Sequence, residues 1–191
     1  MILYGLSGTN GSGKDSLGQF LASEYNFLFI SVTDFLRDEA RARGLQINRE
    51  NLRTISAEWR REHGHGVLVD KCIEQYKQEG GEVAYSGLVM ASLRNPGEAD
   101  RIHELGGTMV WLDADPQLRY KRIQKNARGR ATEDMRTYQE FLHDEDAEQE
   151  YSGDSATLSL HGVKDRCDLV IFNDTEKIED FNKVVKKALK L

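Results

Sequence analysis

Met1-Ile-Leu-Tyr-Gly-Leu6-Ser-Gly8-Thr-Asn10-Gly11-Ser12-Gly13-Lys14-Asp15-Ser16 is the stretch whose reading decides the fold. Met1 to Leu6 is a short apolar run that reads as a buried strand. From Leu17 the apolar residues Leu17, Phe20 and Leu21 take up helical spacing. Between them lies Gly8-x-x-x-x-Gly13-Lys14, a phosphate-binding loop in the context that gives the pattern its meaning, strand before and helix after. Glycines at 8, 11 and 13 let backbone N–H groups turn inward, and those amides face an anion together with the positive end of the next helix. The expected nucleotide contacts are Gly8, Asn10, Gly11, Ser12, Gly13, Lys14, Asp15 and Ser16, with ATP as the bound species. Lys14 would meet the β- and γ-phosphates, and Ser16 would ligate Mg²⁺. Asp15 departs from the common pattern, which has a hydroxyl directly after the lysine. A carboxylate there is tolerable if it points outward or faces the metal.

The 191 residues suit one domain. Hydrophobic residues make up 39% and charged residues 30%, which reads as a soluble globular chain with a modest core. No run approaches the roughly 20 apolar residues of a membrane span. The first apolar run lacks a basic leader, so no signal peptide is expected and a cytoplasmic location is. Cys72 and Cys167 have no metal-like spacing and read as reduced, buried thiols. A net charge of −6 argues against broad nucleic-acid binding, which needs a cationic face.

Along the chain, the periodicity predicts a helix over about 14–24, a strand at Phe27–Ser31, and a helix from Val32 to near Gly44. Asn48 opens the next helix, with Ile47 and Leu52 as a hydrophobic staple and Leu52, Ile55 and Trp59 inward. Another follows over about 66–79. Glu82–Ser86 reads as the third strand, and Asn95-Pro-Gly-Glu98 as a helix start. Thr108–Asp113 is the fourth strand, followed by helices from Asp115 to about 127 and from Thr132 to about 149. Asp168–Phe172 is the fifth strand, and Thr175 starts a terminal helix with Ile178, Phe181, Val184, Val185 and Leu189 inward. Five short strands separated by helices mean an α/β fold, a five-stranded parallel sheet flanked by helices. The acidic run Asp144–Glu150 reads as a solvated helix face, with a metal site at His143 as the lesser alternative.

Ile30-Ser-Val-Thr-Asp34-Phe-Leu-Arg37 resembles the segment Ile-Ser-Thr-Gly-Asp-x-Leu-Arg of the nucleoside monophosphate kinases, adenylate kinase in particular. The resemblance implies that Arg37 holds the acceptor's phosphate. Ser86-Gly87, then Arg94, resembles the family's Asp-Gly-Phe-Pro-Arg, which implies a second phosphate contact at Arg94 and a base-reading role for Glu98. Capping Asn95 is the other role open to Glu98. Leu112 to Ile123, then Arg128 and Arg130, resembles the strand and helix leading into the family's short lid, here about 126–150. Arg122 and Arg128 would then steady the transferring group. Cys167-Asp-Leu-Val-Ile-Phe-Asn173-Asp174 is similar to dephospho-CoA kinase and its relatives, which places Asn173 beside the ATP base. The segment of about 33–80 corresponds to an acceptor-binding helical insertion. Two departures stand out: Ser86 occupies the position where the family has a metal-holding aspartate, and Val32 replaces its acceptor-site threonine. Asp113, Asp15 or Asp34 could supply the missing charge.

The first functional expectation is an ATP-dependent phosphotransferase whose acceptor is a nucleoside or deoxynucleoside monophosphate. An already ionised phosphate needs no base, whereas a hydroxyl acceptor benefits from a carboxylate such as Asp34. A kinase of a nucleotide-like hydroxyl, dephospho-CoA being the leading case, is therefore the enzymatic alternative. A regulatory ATP switch or nucleic-acid-associated NTPase is the alternative from another class, resting on Ser86 and on Arg41, Arg43, Arg49, Arg53, Arg60 and Arg61. The acids Asp38, Glu39, Glu50, Glu58 and Glu62 nearly neutralise that series, so it reads as a solvated helix pair. The expected partner is a small nucleotide-like acceptor, with the chain a monomer or a homodimer.

Overall fold

Strand β1 (Ile2–Gly8) lies in the middle of a five-stranded, all-parallel sheet of order β2-β3-β1-β4-β5. The other strands are β2 (Phe27–Ser31), β3 (Gly87–Ala91), β4 (Thr108–Asp113) and β5 (Leu169–Phe172). The structure, a computed structural model, describes residues 1–125, 137–149 and 153–191. The register is continuous across the centre, with Leu3 opposite Leu88 and Leu6 opposite Val110. Parallel strands covered on both faces must be apolar on both faces, and β3 is buried at all five positions.

The two sides of the sheet carry separate cores. One packs Leu3, Leu88, Met90 and Met109 beneath α2 (Val32–Ala42), α3 (Arg49–His63), α4 (Val67–Gln78), α6 (Pro96–Glu104) and α9 (Leu160–Lys164). The other packs Leu6, Val89, Ala91, Val110, Leu112 and Ile171 against α1 (Lys14–Tyr25) and α10 (Ile178–Leu189). Leu88 and Met90 face one side while Val89 and Ala91 face the other, the period of two that a strand imposes. The remaining helices are the four-residue α5 (Gly81–Ala84), α7 (Pro116–Lys125) and α8 (Tyr138–Gln149).

The expected third strand at Glu82–Ser86 is in fact α5 and the turn after it. Gly80 and Gly81 take φ of 106° and 54°, reversing the chain, and Val83 is 99% exposed. The next apolar run, Gly87–Ala91, enters the sheet instead, because only it can bury both faces. Gly87 also meets the sheet too closely for a side chain: a Cβ there would lie 2.5 Å from the Ile2 carbonyl oxygen. Three smaller corrections follow. Ile47, expected to pack on Leu52, is 48% exposed, and Asn48 caps α3 through the Asn51 N–H at 2.9 Å. Helix α10 begins at Ile178, which is half exposed rather than inward. Cys72 is buried as expected, but Cys167 is only partly so, with burial pushing its thiol up to about 12. Among the described residues, no helix is long and apolar enough to cross a membrane.

Candidate active site

In an open parallel sheet, ligands gather outside the carboxyl ends of the strands. Here the end of β1 becomes the loop Gly8–Gly13, and Lys14 begins α1. Gly8, Gly11 and Gly13 all take left-handed φ, of 134°, 79° and 104°. At Gly8 a Cβ would lie 1.9 Å from the Leu112 carbonyl oxygen, and at Gly13 2.6 Å from Asn173 Nδ2. The buried Lys14 Nζ donates to the carbonyls of Gly8 and Thr9 at 2.9 and 2.6 Å, and Ser12 Oγ donates to the Thr9 carbonyl at 2.8 Å.

Two elements distant in sequence brace this loop. Asn173, at the end of β5, donates from Nδ2 to the Ser12 carbonyl at 2.9 Å. Arg122, on α7, donates to the carbonyls of Asn173 (2.9 Å), Thr175 (2.6 Å) and Gly11 (3.4 Å). Burial lowers the Arg122 guanidinium's pKa. Both side chains therefore hold the loop in shape: they were expected to touch nucleotide, and their polar groups here face backbone and each other. Replacing Gly13 by alanine is expected to cost about 1–3 kcal/mol from the strained backbone alone. Its methyl would also dislodge Asn173. Thermal melting of Gly13→Ala beside wild type checks this, and an unchanged midpoint would contradict it.

The loop opens into a cavity of about 1040 Å³. Asn10, Gly11, Gly13, Lys14, Asp15 and Ser16 form one wall. Helices α2 and α3 also line it, through Asp34, Arg37, Arg41, Arg49, Arg53, Ser56 and Arg60, and so do Ser92 and Arg94 of the segment after β3. The structure thus brings Asp34, Arg37 and Arg94 to the same cavity as Lys14, Asp15 and Ser16. Arg37 donates to Asp34 Oδ1 at 2.6 Å.

The lining holds seven basic side chains (Lys14, Arg37, Arg41, Arg49, Arg53, Arg60, Arg94) and two acidic ones (Asp15, Asp34). That corrects the view of a solvated, self-neutralised helix pair. The acids Asp38, Glu39, Glu50, Glu58 and Glu62 do not line the cavity, so the balanced composition hides two faces of unlike charge. The signal was present in the spacing. Arg49, Arg53, Ser56 and Arg60 stand at i, i+4, i+7 and i+11, one stripe of a helix, and Arg37 and Arg41 are one turn apart.

Glu98 is a correction of another kind. It is fully buried, and its Oε2 accepts from the backbone N–H groups of Arg94 (2.7 Å) and Asn95 (3.0 Å). Its Oε1 accepts from Arg60 Nη2 at 2.7 Å and Nε at 3.1 Å. With both oxygens so engaged it reads no acceptor base; it caps α6 and holds Arg60. Ser86 precedes β3, at the end of the sheet away from the loop, so it does not stand where a metal-holding acid would. The position after β3 is Ser92, with φ of 72°. Asp113 lies outside the cavity lining, where Oδ1 accepts from Thr9 Oγ1 and from the Ala114 N–H, both at 2.9 Å. That leaves Asp15 and Asp34 as the acids facing the cavity.

Arg119 went unnoticed in the sequence. Buried, it donates to the carbonyls of Ala114 (2.8 Å) and Asn10 (3.3 Å) and pairs with Glu145 of α8. Glu145 therefore does not belong to a solvated acidic face. Arg128, Arg130 and Met135 lie outside the described residues, as does the start of the helix expected from Thr132. Among the described residues no group of three or more His, Cys, Asp or Glu could hold a metal. Asp15 and Ser16, in the first turn of α1, line the cavity and are oxygen-bearing residues that suit Mg²⁺ arriving with a nucleotide, because that ion keeps several waters and takes few protein ligands.

The sequence profile of an AAA domain matches residues 5–151. A UPF0200 protein of Methanococcus vannielii is 26% identical over 99% of this chain and 97% of its own length. One from Hyperthermus butylicus is 30% identical over 71% of this chain and 69% of its own. Among solved structures, shikimate kinase from Bacteroides thetaiotaomicron superposes with a TM-score of 0.60 at 14% identity, covering 100% of this chain and 99% of that one. The sheet and its helices are thus those of the P-loop kinases, and the likeness to adenylate kinase read from short segments holds at that coarser level. The chain belongs to the AAA domain family and to the UPF0200 proteins.

Proposed function

We propose that the chain is an ATP-dependent phosphotransferase whose acceptor is a nucleoside or deoxynucleoside monophosphate. The observation that carries this reading is the placement of Arg37 and Arg94, from separate elements, on the cavity that Lys14 and Ser16 also line. Phosphoryl transfer needs little covalent chemistry from a protein; it needs positioning and charge neutralisation. The loop amides and Lys14 would hold the donor's phosphates. Ser16, with Asp15 beside it, would hold Mg²⁺, which supplies charge neutralisation on the phosphate oxygens. Arg37 and Arg94 would clamp the acceptor phosphate, bidentately as guanidinium allows. Arg122 and Asn173 act through the loop they brace, and Arg128 would reach the transferring group from the lid.

Asp34 supports one second reading, a kinase of a nucleotide-like hydroxyl. Its carboxylate is 64% exposed, lines the cavity and is oriented by Arg37, as a general base should be. A coupled ADP-release assay with Mg-ATP against NMPs, dNMPs and dephospho-CoA separates the two. Under the first reading one monophosphate turns over, Arg94→Ala lowers kcat/KM by about 10²-fold or more, and Asp34→Asn stays within about tenfold. Turnover only on a hydroxyl acceptor, lost in Asp34→Asn, would select the second. ATP binding with no stimulation by any acceptor would overturn both and favour a nucleotide switch.

A further inference from the structure

We propose that Ser92, the residue after β3, is an acceptor-positioning residue whose hydroxyl donates a hydrogen bond to the acceptor's phosphate. This deepens the kinase reading and rests on it. The backbone singles Ser92 out. Among the described residues, three other than glycine take a positive φ: Asn26 (56°), Ser92 (72°) and Lys190 (56°). Asn26 and Lys190 are the C-cap residues of α1 and α10, where a left-handed residue ends a helix in the ordinary way. Ser92 follows a strand and ends no helix.

Left-handed backbone is unfavourable for a residue with a Cβ, and such strain persists only where the surroundings impose it. Here they impose it from the residues that follow. Leu93 is fully buried, its N–H donates to the Leu6 carbonyl at 3.3 Å, and its own carbonyl accepts from Ser7 Oγ at 2.6 Å. The Arg94 N–H donates to Glu98 at 2.7 Å, and the Arg94 carbonyl accepts from the Ser159 N–H at 3.0 Å. A turn held in this way calls for glycine, which takes the same φ without strain. Serine makes the turn and adds a hydroxyl. That hydroxyl belongs to a half-buried residue lining the cavity, and it has no hydrogen-bond partner among the described residues.

The position of Ser92 in the sheet suits an acceptor phosphate. Ala91 stands opposite Leu6 of β1 on one side and Ser31 of β2 on the other. Beyond that row, β1 runs on into the phosphate loop, and β2 turns into α2 with Asp34 and Arg37. Ser92 therefore stands at the seam between the donor side and the acceptor side, two residues before Arg94. The acceptor phosphate must come to that seam, because transfer needs the reacting atoms close and aligned. A hydroxyl is a neutral donor, so it fixes one phosphate oxygen without adding charge between two anions. Its bond to a charged oxygen is stronger than one between neutral groups. No covalent bond is made or broken at Ser92, and its proton stays on Oγ.

The test is equilibrium binding of AMP, CMP, GMP, UMP and dTMP to the full chain, with the donor site filled by Mg²⁺ and a non-hydrolysable ATP analogue. Wild type is compared with Ser92→Gly and Ser92→Ala. Glycine relieves the left-handed backbone, so Ser92→Gly should melt at the wild-type temperature or above it. Both variants should bind the preferred monophosphate about tenfold or more weakly, and keep the ATP analogue within about twofold. A smaller loss of monophosphate affinity would overturn the proposal. So would a loss in only one variant, because the backbone and not the hydroxyl would then be the cause. A lower melting temperature in Ser92→Gly would make the role structural, and weaker binding of the ATP analogue would move it to the donor; either result overturns the proposal. Undisturbed turnover of a monophosphate by both variants would remove the hydroxyl and keep the kinase reading. Ser92-dependent binding in a protein that phosphorylates no acceptor would sink the kinase reading and leave the contact standing. Binding of none of the five monophosphates would overturn both.

Discussion

Replacing Glu98 by alanine is expected to destabilise the chain by about 3–5 kcal/mol, the cost of leaving a buried ion uncompensated. Arg60 and Glu98 are 2% and 0% exposed, so bulk solvent does not compensate the stranded guanidinium. The carboxylate also accepts from the backbone N–H groups of Arg94 and of Asn95, the N-cap residue of α6, and loss of such a cap adds about 1 kcal/mol. For a chain of this length, 3–5 kcal/mol corresponds to a melting point lower by roughly 6–20 °C. The consequences spread beyond α6. Arg60 also donates to Ser56 Oγ (3.2 Å) and to the Ala156 carbonyl (3.0 Å). Asn95 donates to the carbonyls of Ser155 and Thr157, both at 2.8 Å. One knot therefore joins α3, the start of α6 and the segment before α9. Replacing the ion pair by Arg60→Met with Glu98→Leu should recover most of the loss but not the capping share. Chemical denaturation of the three proteins checks this; a Glu98→Ala loss under about 1 kcal/mol would contradict it.

Lys14→Ala is expected to lower ADP release by about 10²–10³-fold, the usual effect of removing one charge-stabilising donor from a transfer site. The lysine stem is buried and its Nζ is folded onto the Gly8 and Thr9 carbonyls. Removing it deprives both carbonyls of a donor, so melting must be followed alongside turnover. A folded variant that has lost turnover supports the donor role. Turnover kept within tenfold of wild type would remove Lys14 from the chemistry.

The phosphate loop was legible because everything that defines it is local. Strand, glycines, lysine and helix occupy sixteen consecutive residues, and each residue type has one physical reason to be there. The capping box at Asn95–Glu98 was legible on the same grounds, but its partner was not. Arg60 lies 38 positions earlier in the chain, and no local rule brings it to Glu98. The third strand was misplaced because two apolar runs stand side by side, and only the sheet decides which is buried. The cationic wall was missed through counting charges along the chain instead of around the helix. Its acids and arginines cancel in composition and separate in space. Arg119 was hidden for a related reason: a charged residue on a polar helix looks like surface until α8 covers it.

The bond from Asn173 to Ser12 spans 161 positions, so the donor loop is completed from the end of β5, the fifth strand of the sheet in chain order. A ribosome synthesising this chain releases every residue expected to touch phosphate long before it releases that brace. Contacts of such sequence separation form slowly, and chains emerge from the ribosome at roughly 5–20 residues per second. The growing polypeptide therefore spends roughly 8–30 seconds with its glycine loop present but without the Asn173 brace. Competence to bind nucleotide should appear late and abruptly, when β5 docks beside β4, rather than accumulate with length.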